Sequence, residues 1–413
     1  MYWKAAYPVE EDSARGSSGS LWRNRDYLLL WLGQSVSSLG TGISQLAFPL
    51  LILAETRSPA AAGVAGALQQ APLVLFSLPA GALVDRWDRQ RVMLLSTLGL
   101  LLCLASIPVA LIIWRLTLAH LYIVAFAIGS CSTFYRLAQL GALTRLVPKA
   151  QMSTAVAQNE AAYSATSLLS PSLSGWLFSV AQFLPFAADA ISYVILLGSL
   201  LNIRAPLQGE RTTAKRSLLR EVCEGIVWLW SHKLLRLLTF LAGYIELLLN
   251  GSILIVLVIA QQHGISAALA GVILGVGGIG NLAGTVLSAQ APLRRARFGR
   301  TLRGVMLAYA LIWPFYGLAI TPLFLGAVMI LYSLIDSVAA IQMVSYRMTS
   351  VPEHLQGRVS SAYRMIPYAM VALGQALIGV SLQQLGVLPT VALLWAGLLF
   401  FALRLLISRK ELA

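Results

Sequence analysis

Residues 81–93 read GALVDRWDRQRVM, with Asp85, Arg86, Asp88, Arg89 and Arg91 crowded between two long apolar runs. The chain around them is 58% hydrophobic and 11% charged, with a mean hydropathy of +0.76. That balance is far from the one a water-soluble domain carries. Charges at this density would be very costly inside hydrocarbon, so the stretch has to lie where a membrane-spanning segment surfaces and turns back.

Working outward, apolar runs long enough to cross a bilayer core of about 30 Å, roughly 20 residues in a helix, follow one another along the chain. Twelve are expected, at 27–54, 61–84, 92–114, 118–135, 152–181, 184–201, 235–260, 267–289, 302–320, 323–345, 359–382 and 388–406. Strands of a membrane barrel would alternate apolar and polar residues over about ten positions, and these runs do not. The fold class is therefore an all-α membrane protein of twelve transmembrane helices.

The basic residues set the direction. Of the 30 Lys and Arg, only Arg57 and Arg115 fall on the side opposite the termini. Positive charge collects on the cytoplasmic side, so both termini and the even-numbered loops of this multi-pass chain are expected there. The formal net charge of +14 then faces anionic lipid, and nucleic acid is not an expected partner. The first twenty residues hold Glu10, Glu11 and Asp12 without an apolar core, so no cleavable signal is expected, and DSARGSSGS reads as a disordered tail. Cys103, Cys131 and Cys223 are scattered, as are the 4 histidines. No metal, cofactor or disulfide framework is expected.

The chain is also duplicated. LVP at 146–148 is answered by SVP at 350–352, Gly175 by Gly379, and LP at 184–185 by LP at 388–389, all at one offset. The organisation expected is a tail at 1–26, a six-helix half at 27–201, a linker at 202–234, a second six-helix half at 235–406 and a short tail at 407–413. Within the linker, EVCEGIVWLWSHK looks like an amphipathic helix at the membrane surface. Two pseudo-symmetric halves around a central cavity make the architecture of a rocking transporter.

GALVDRWDRQR, placed between the second and third of twelve spans, resembles the signature loop of the major facilitator superfamily. The pattern is similar to its drug-exporting branch, with macrolide-efflux proteins and the enterobactin exporter. LTRLVPKAQMSTAVAQN, SPSLSGWL, FAADAISYVI and EHLQGRVSSAYRM support it. The resemblance implies a cytoplasmic gate loop of Gly81, Asp85, Arg86, Arg89 and Arg91. In it, Asp85 would cap the start of span eleven near 357–361, where free N–H groups and partial positive charge wait, and Arg89 would join a charge cluster with an acid on span four. Two departures stand out. Asp88 occupies a position where Gly is common, and 118–149 contains no acid, so Asp88 could serve locally in its place. The loop could also be a plain solvated turn. In span five the antiporter-associated pattern becomes Ser170-Pro171 and Ser174-Gly175. Pro171 and Gly175 are then either direction-setting or a packing seam.

Ionisable groups inside spans mark function by default. Glu160, Asp189, Glu246 and Asp336 lie well within spans, and Arg364 is the matching base. Glu246 and Asp336 near the middle of spans seven and ten are candidates for proton coupling or for a cationic substrate; the alternative is an acid satisfied by a neighbouring donor. Glu160 and Arg364 occupy equivalent positions in the repeat, which suggests a pair that changes partner as the halves move. Asp189, near an outer helix end, reads as a helix-end hydrogen bond.

The function expected is secondary export of an amphiphilic, drug-like or macrolide-like molecule by proton antiport. Small-molecule substrate, protons and membrane lipids are its partners, and the working unit is a monomer. A siderophore or lipid-like metabolite is the alternative cargo. A membrane sensor would need a soluble output domain, for which the longest extramembrane stretch is too short. An intramembrane enzyme would need clustered catalytic residues, and an ATP-driven pump a GK[ST] loop; GVGGIGNLAG at 275–284 lacks one and reads as tight helix packing.

Overall fold

The computed structural model describes residues 21–113, 116–205, 207, 218–290, 298–318, 321–352 and 355–407. Among them the regular structure is helical, without strands. The first half comprises α1 (Arg25–Thr56), α2 (Pro59–Arg86), α3 (Arg89–Ile112), α4 (Leu118–Leu146), α5 (Met152–Val180) and α6 (Leu184–Leu201). A linker helix, α7 (Leu218–Ser231), leads to the second half: α8 (Lys233–Gln262), α9 (Ala267–Gly275), α10 (Gly277–Ala289), α11 (Phe298–Ile312), α12 (Phe315–Leu318), α13 (Pro322–Ser350), α14 (Gln356–Leu385) and α15 (Val387–Ile407).

Ten of the described helical segments are long and apolar enough to cross a membrane by themselves, counting α9 and α10 together. Two expected spans fall outside that group for opposite reasons. Span five forms as α5 but carries a polar face with Gln158, Asn159 and Glu160. Span nine is divided, since α11 ends at Ile312 and α12 begins at Phe315, after Trp313 and Pro314. Proline lacks a donor and crowds the preceding turn, which accounts for the break. Span eight is interrupted at Val276, between α9 and α10. There the glycines of GVGGIGNLAG do pack tightly, with Gly280 against the Ile330 backbone and Gly284 against that of Leu334 on α13.

Span four is longer than the expected 118–135, because α4 continues to Leu146. Apolar length ends at Arg136, but a helix needs no lipid-facing surface where it borders a cavity. α4 supplies Arg136, Gln139 and Leu143 to such a cavity.

The halves meet chiefly through α2 against α14 and α5 against α9. α7 lies under the beginning of α14. Gly225 packs on the Arg358 backbone, Leu229 joins Val359 and Ala362 in a small apolar cluster, and Glu224 pairs with Arg358 at 2.7 Å. The linker helix thus fastens to the second half.

Candidate functional site

Between the halves lies a cavity of about 870 Å³. Its wall is built from the first part of α1, the last part of α4, the first part of α5 and the first part of α14, joined by Leu73 of α2. These segments all sit at the end of the bundle where α1 begins and α15 finishes, so the cavity opens there.

The opposite end is sealed. A Cβ added to Gly63 of α2 would lie 2.8 Å from the Gly379 Cα of α14. One added to Gly175 of α5 would lie 2.9 Å from the Gly271 Cα of α9, and the Pro171 carbonyl faces Gly271 in turn. Only glycine permits backbones this close. Polar bonds reinforce the closure. Gln383 of α14 accepts from the Ala60 N–H at 3.1 Å and from the Ser58 hydroxyl, and Gln261 of α8 donates to the Leu53 carbonyl at 2.9 Å. Pro171 and Gly175 therefore stand at the contact between halves.

Two residues of the charged loop, Asp88 and Arg89, bond within the first half. Asp88 is the N-cap of α3 and accepts from the Arg91 N–H at 3.0 Å, satisfying one orphan donor of the helix start. Arg89 donates from Nη1 to the Gly141 carbonyl of α4 at 3.2 Å, and the absence of a side chain on Gly141 leaves room for the guanidinium. A backbone carbonyl of span four, which lacks the acid of the resembled pattern, receives Arg89, and the Asp88 carboxylate, read as a local stand-in for that acid, caps its own helix instead. Arg91 is exposed. The side chains at Gly81, Asp85 and Arg86 lie outside the described residues, although α2 runs through them.

Glu160 and Arg364 both line the cavity, exposed to it, and no ion pair joins them in this state. Arg136 of α4, which the apolar-run reading counted with a loop, also lines it. Its Nη2 donates to the Tyr368 hydroxyl of α14 at 3.2 Å, and its guanidinium stands 5.9 Å from that ring's centroid, bridging the halves. The signal for Arg136 was present in the spacing of Arg136, Gln139 and Leu143, which repeats at helical intervals on one face.

Glu246 and Asp336 belong to the second half and are not among the residues lining the cavity. Asp336 accepts from the Tyr309 hydroxyl at 2.8 Å, beside a buried cluster of Tyr309, Trp313, Tyr316 and Tyr332. Glu246 is exposed and within electrostatic reach of Asp336. One turn on, Asn250 of α8 accepts from Gln375 of α14 at 3.3 Å, a bond between helices.

Asp189 differs from its expected role. It is 1% exposed and accepts from Ser44 on the neighbouring α1 and from Ser192 on its own helix. The bond crosses between helices because Gly40 lets α1 approach Asp189 and Ser192 closely. Nearby, the Thr41 and Tyr193 hydroxyls are 2.9 Å apart in the wall of a second pocket of about 290 Å³.

With this geometry in place, comparison with known proteins is direct. A family model described as Major Facilitator Superfamily matches residues 30–375. Macrolide efflux protein A of Streptococcus pyogenes is 26% identical over 220 residues, which is 51% of this chain and 53% of that protein, so the match spans about half the length of this relative. Multidrug efflux pump Tap of Mycolicibacterium fortuitum is 26% identical over 373 residues, covering 85% of this chain and 88% of its own. Among solved structures, a bacterial homologue of the iron transporter ferroportin in an inward-facing state superposes with a TM-score of 0.73 at 15% identity, over 94% of this chain and 99% of that one. At that identity the likeness concerns the fold alone.

Proposed function

The chain belongs to the major facilitator superfamily, and on that premise we propose that it is a secondary active transporter exporting an amphiphilic, drug-like small molecule across a prokaryotic inner membrane. Protons move inward in exchange as the two halves rock about the central cavity. The observation that carries this reading is the asymmetry between the two ends of the bundle: about 870 Å³ open at the end where α1 begins and α15 finishes, and glycine-to-backbone contact at the other. Alternating access needs two such ends that exchange roles. The excess of Lys and Arg at the open end supports a cytoplasmic location for it, where an exporter has to load. Relatives named for macrolide and multidrug efflux support a drug-like cargo.

Membrane vesicles turned inside out provide the test. A panel of anionic, neutral and cationic amphiphiles, one macrolide included, is offered to them; at least one member is expected to accumulate inside, and collapse of the pH gradient is expected to stop accumulation. If no member of the panel moves, the export reading is lost; if accumulation ignores the gradient, the proton part is lost.

Orientation is checked separately. In a chain freed of its native cysteines, single cysteines near residues 10 and 210 are expected to resist an impermeant thiol reagent in intact cells. One at Ser58 is expected to react. The reverse pattern would invert the topology and turn the open cavity outward.

A further inference from the structure

The cavity has a sign. Its wall carries Arg136, Arg358 and Arg364 against one acid, Glu160. Arg358 is matched by Glu224 at 2.7 Å, whereas among the described residues no carboxylate lies within 4.0 Å of Arg136 or Arg364. A further guanidinium, Arg347, is stacked 4.4 Å over the Tyr363 ring and lies within electrostatic reach of Arg364. Among the described residues a further acid, Glu246, lies within reach of Tyr363. Basic groups outnumber acidic ones around the closed apex of the cavity.

Depth separates these arginines from those that only set topology. At 1.5 Å of rise per residue, Arg364 stands roughly 12 Å along α14 from Gln356, and Arg136 roughly 15 Å before the end of α4 at Leu146. A topology signal needs its charges at the rim, and an arginine this deep is a functional feature by default. Tyr368 brings the two together. It bonds Arg136 and lies one turn from Arg364 on the same helix face.

We propose that the exported amphiphile carries an anionic group, a carboxylate or a phosphate, which docks between Arg136 and Arg364 while its apolar body lies against Leu140, Tyr163 and Met365. This rests on the export reading above and narrows its cargo. A guanidinium presents a planar fork of donors that fits both anions, and low-dielectric walls focus the field of like charges into the cleft. A cationic amphiphile in the same place would face two guanidinia with only Glu160 to offset them.

The test uses the purified full-length chain and three fluorescent probes that differ in one group: 1-pyrenebutyric acid, its methyl ester and 1-pyrenebutylamine. The acid is expected to bind about tenfold more tightly than the ester or the amine, as a charge-assisted bond to a partly solvated guanidinium allows. Arg136→Gln and Arg364→Gln are each expected to abolish that preference while the ester's affinity stays within about twofold, so ester binding reports an intact fold. Glu160→Gln is expected to tighten the acid and weaken the amine. Displacement of the acid by octanoate, by dioctanoyl phosphatidic acid, or by both supports the site and tells a soluble carboxylate from a lipid headgroup; displacement by neither overturns it. An amine that binds as tightly as the acid, or a preference that survives both arginine variants, overturns it as well. Failure of the broader reading looks different: acid preference with no uptake of any probe into inverted vesicles removes export and leaves the site. Uptake of the amine without binding of the acid removes the site and leaves export.

Discussion

Gly175→Leu is expected to reach the membrane in near-normal amount and to lose transport by about a hundredfold. The side chain would project into the backbone of α9, where even a single carbon falls 2.9 Å from the Gly271 Cα. Backbone cannot rotate away as a flexible side chain can, and overpacking of this kind costs roughly 1–3 kcal/mol or more. The cost falls on the sealed state alone, since opening that end separates α5 from α9. About 3 kcal/mol of differential destabilisation turns a dominant state into a minor one, which is the scale of the expected loss. Folding should persist because the large apolar core lies within each half as well as across the seam. Gly63→Leu should act the same way through Gly379 and the Gln375 carbonyl of α14. A cysteine at Ser38, on the cavity wall, provides the readout. With the native glycines it should be shielded from an impermeant reagent added at the sealed face; with either leucine it should react. Wild-type transport together with a shielded cysteine would remove the glycine seam from the transport cycle.

Asp336→Asn is expected to abolish uphill transport while leaving counterflow in place. The amide oxygen still accepts from the Tyr309 hydroxyl, which bonds Asp336 at 2.8 Å, so the aromatic cluster keeps its geometry. What the amide loses is the capacity to take up and release a proton. Counterflow needs only exchange of substrate across the membrane, whereas accumulation needs the gradient. Glu246→Gln separates the two acids, because Glu246 is exposed and Asp336 is held by Tyr309. If the coupling proton rides on Glu246, that variant loses accumulation and Asp336→Asn keeps it. An acid that only satisfies a neighbour should instead lower expression, as unpaired buried polar groups do. Normal accumulation in both variants would move the coupling role to another acid of the spans, Glu160 first.

Several features of the site were legible before any coordinates because they are properties of short stretches. The charged loop between two apolar runs marks a boundary between helices, and α2 and α3 meet there, although Asp88, read as a stand-in for the missing acid, proves to be the N-cap of α3. EVCEGIVWLWSHK has an apolar face and a polar one, and α7 forms over part of it. Gly175 and Gly379 answered each other in the repeat and prove to sit in the two equivalent seams between the halves. Glu160 and Arg364, at equivalent places, reach one cavity.

The misreadings share a cause. Span four was ended at Tyr135 and Asp189 was given a helix-end bond because a one-dimensional reading treats lipid as the only alternative to water. α4 continues to Leu146 along an internal cavity, and Asp189 is satisfied by Ser44 of a different helix. Arg89 shows the same limit. The sequence lacks an acid on span four, yet the Gly141 carbonyl, which no side-chain pattern advertises, accepts from it.

The sequence by itself determined that this chain is a multi-pass helical membrane protein in two related halves, because hydrocarbon imposes a long apolar run on every crossing and duplication leaves its offset in the residues. Tertiary structure alone decided which end is open, that Arg136 and Tyr368 join Glu160 and Arg364 around one cavity, and that glycines close the other end. Those facts depend on distances between helices far apart in the chain. Such distances are set by the packing of whole helix faces, which a pattern along one strand of sequence does not encode locally.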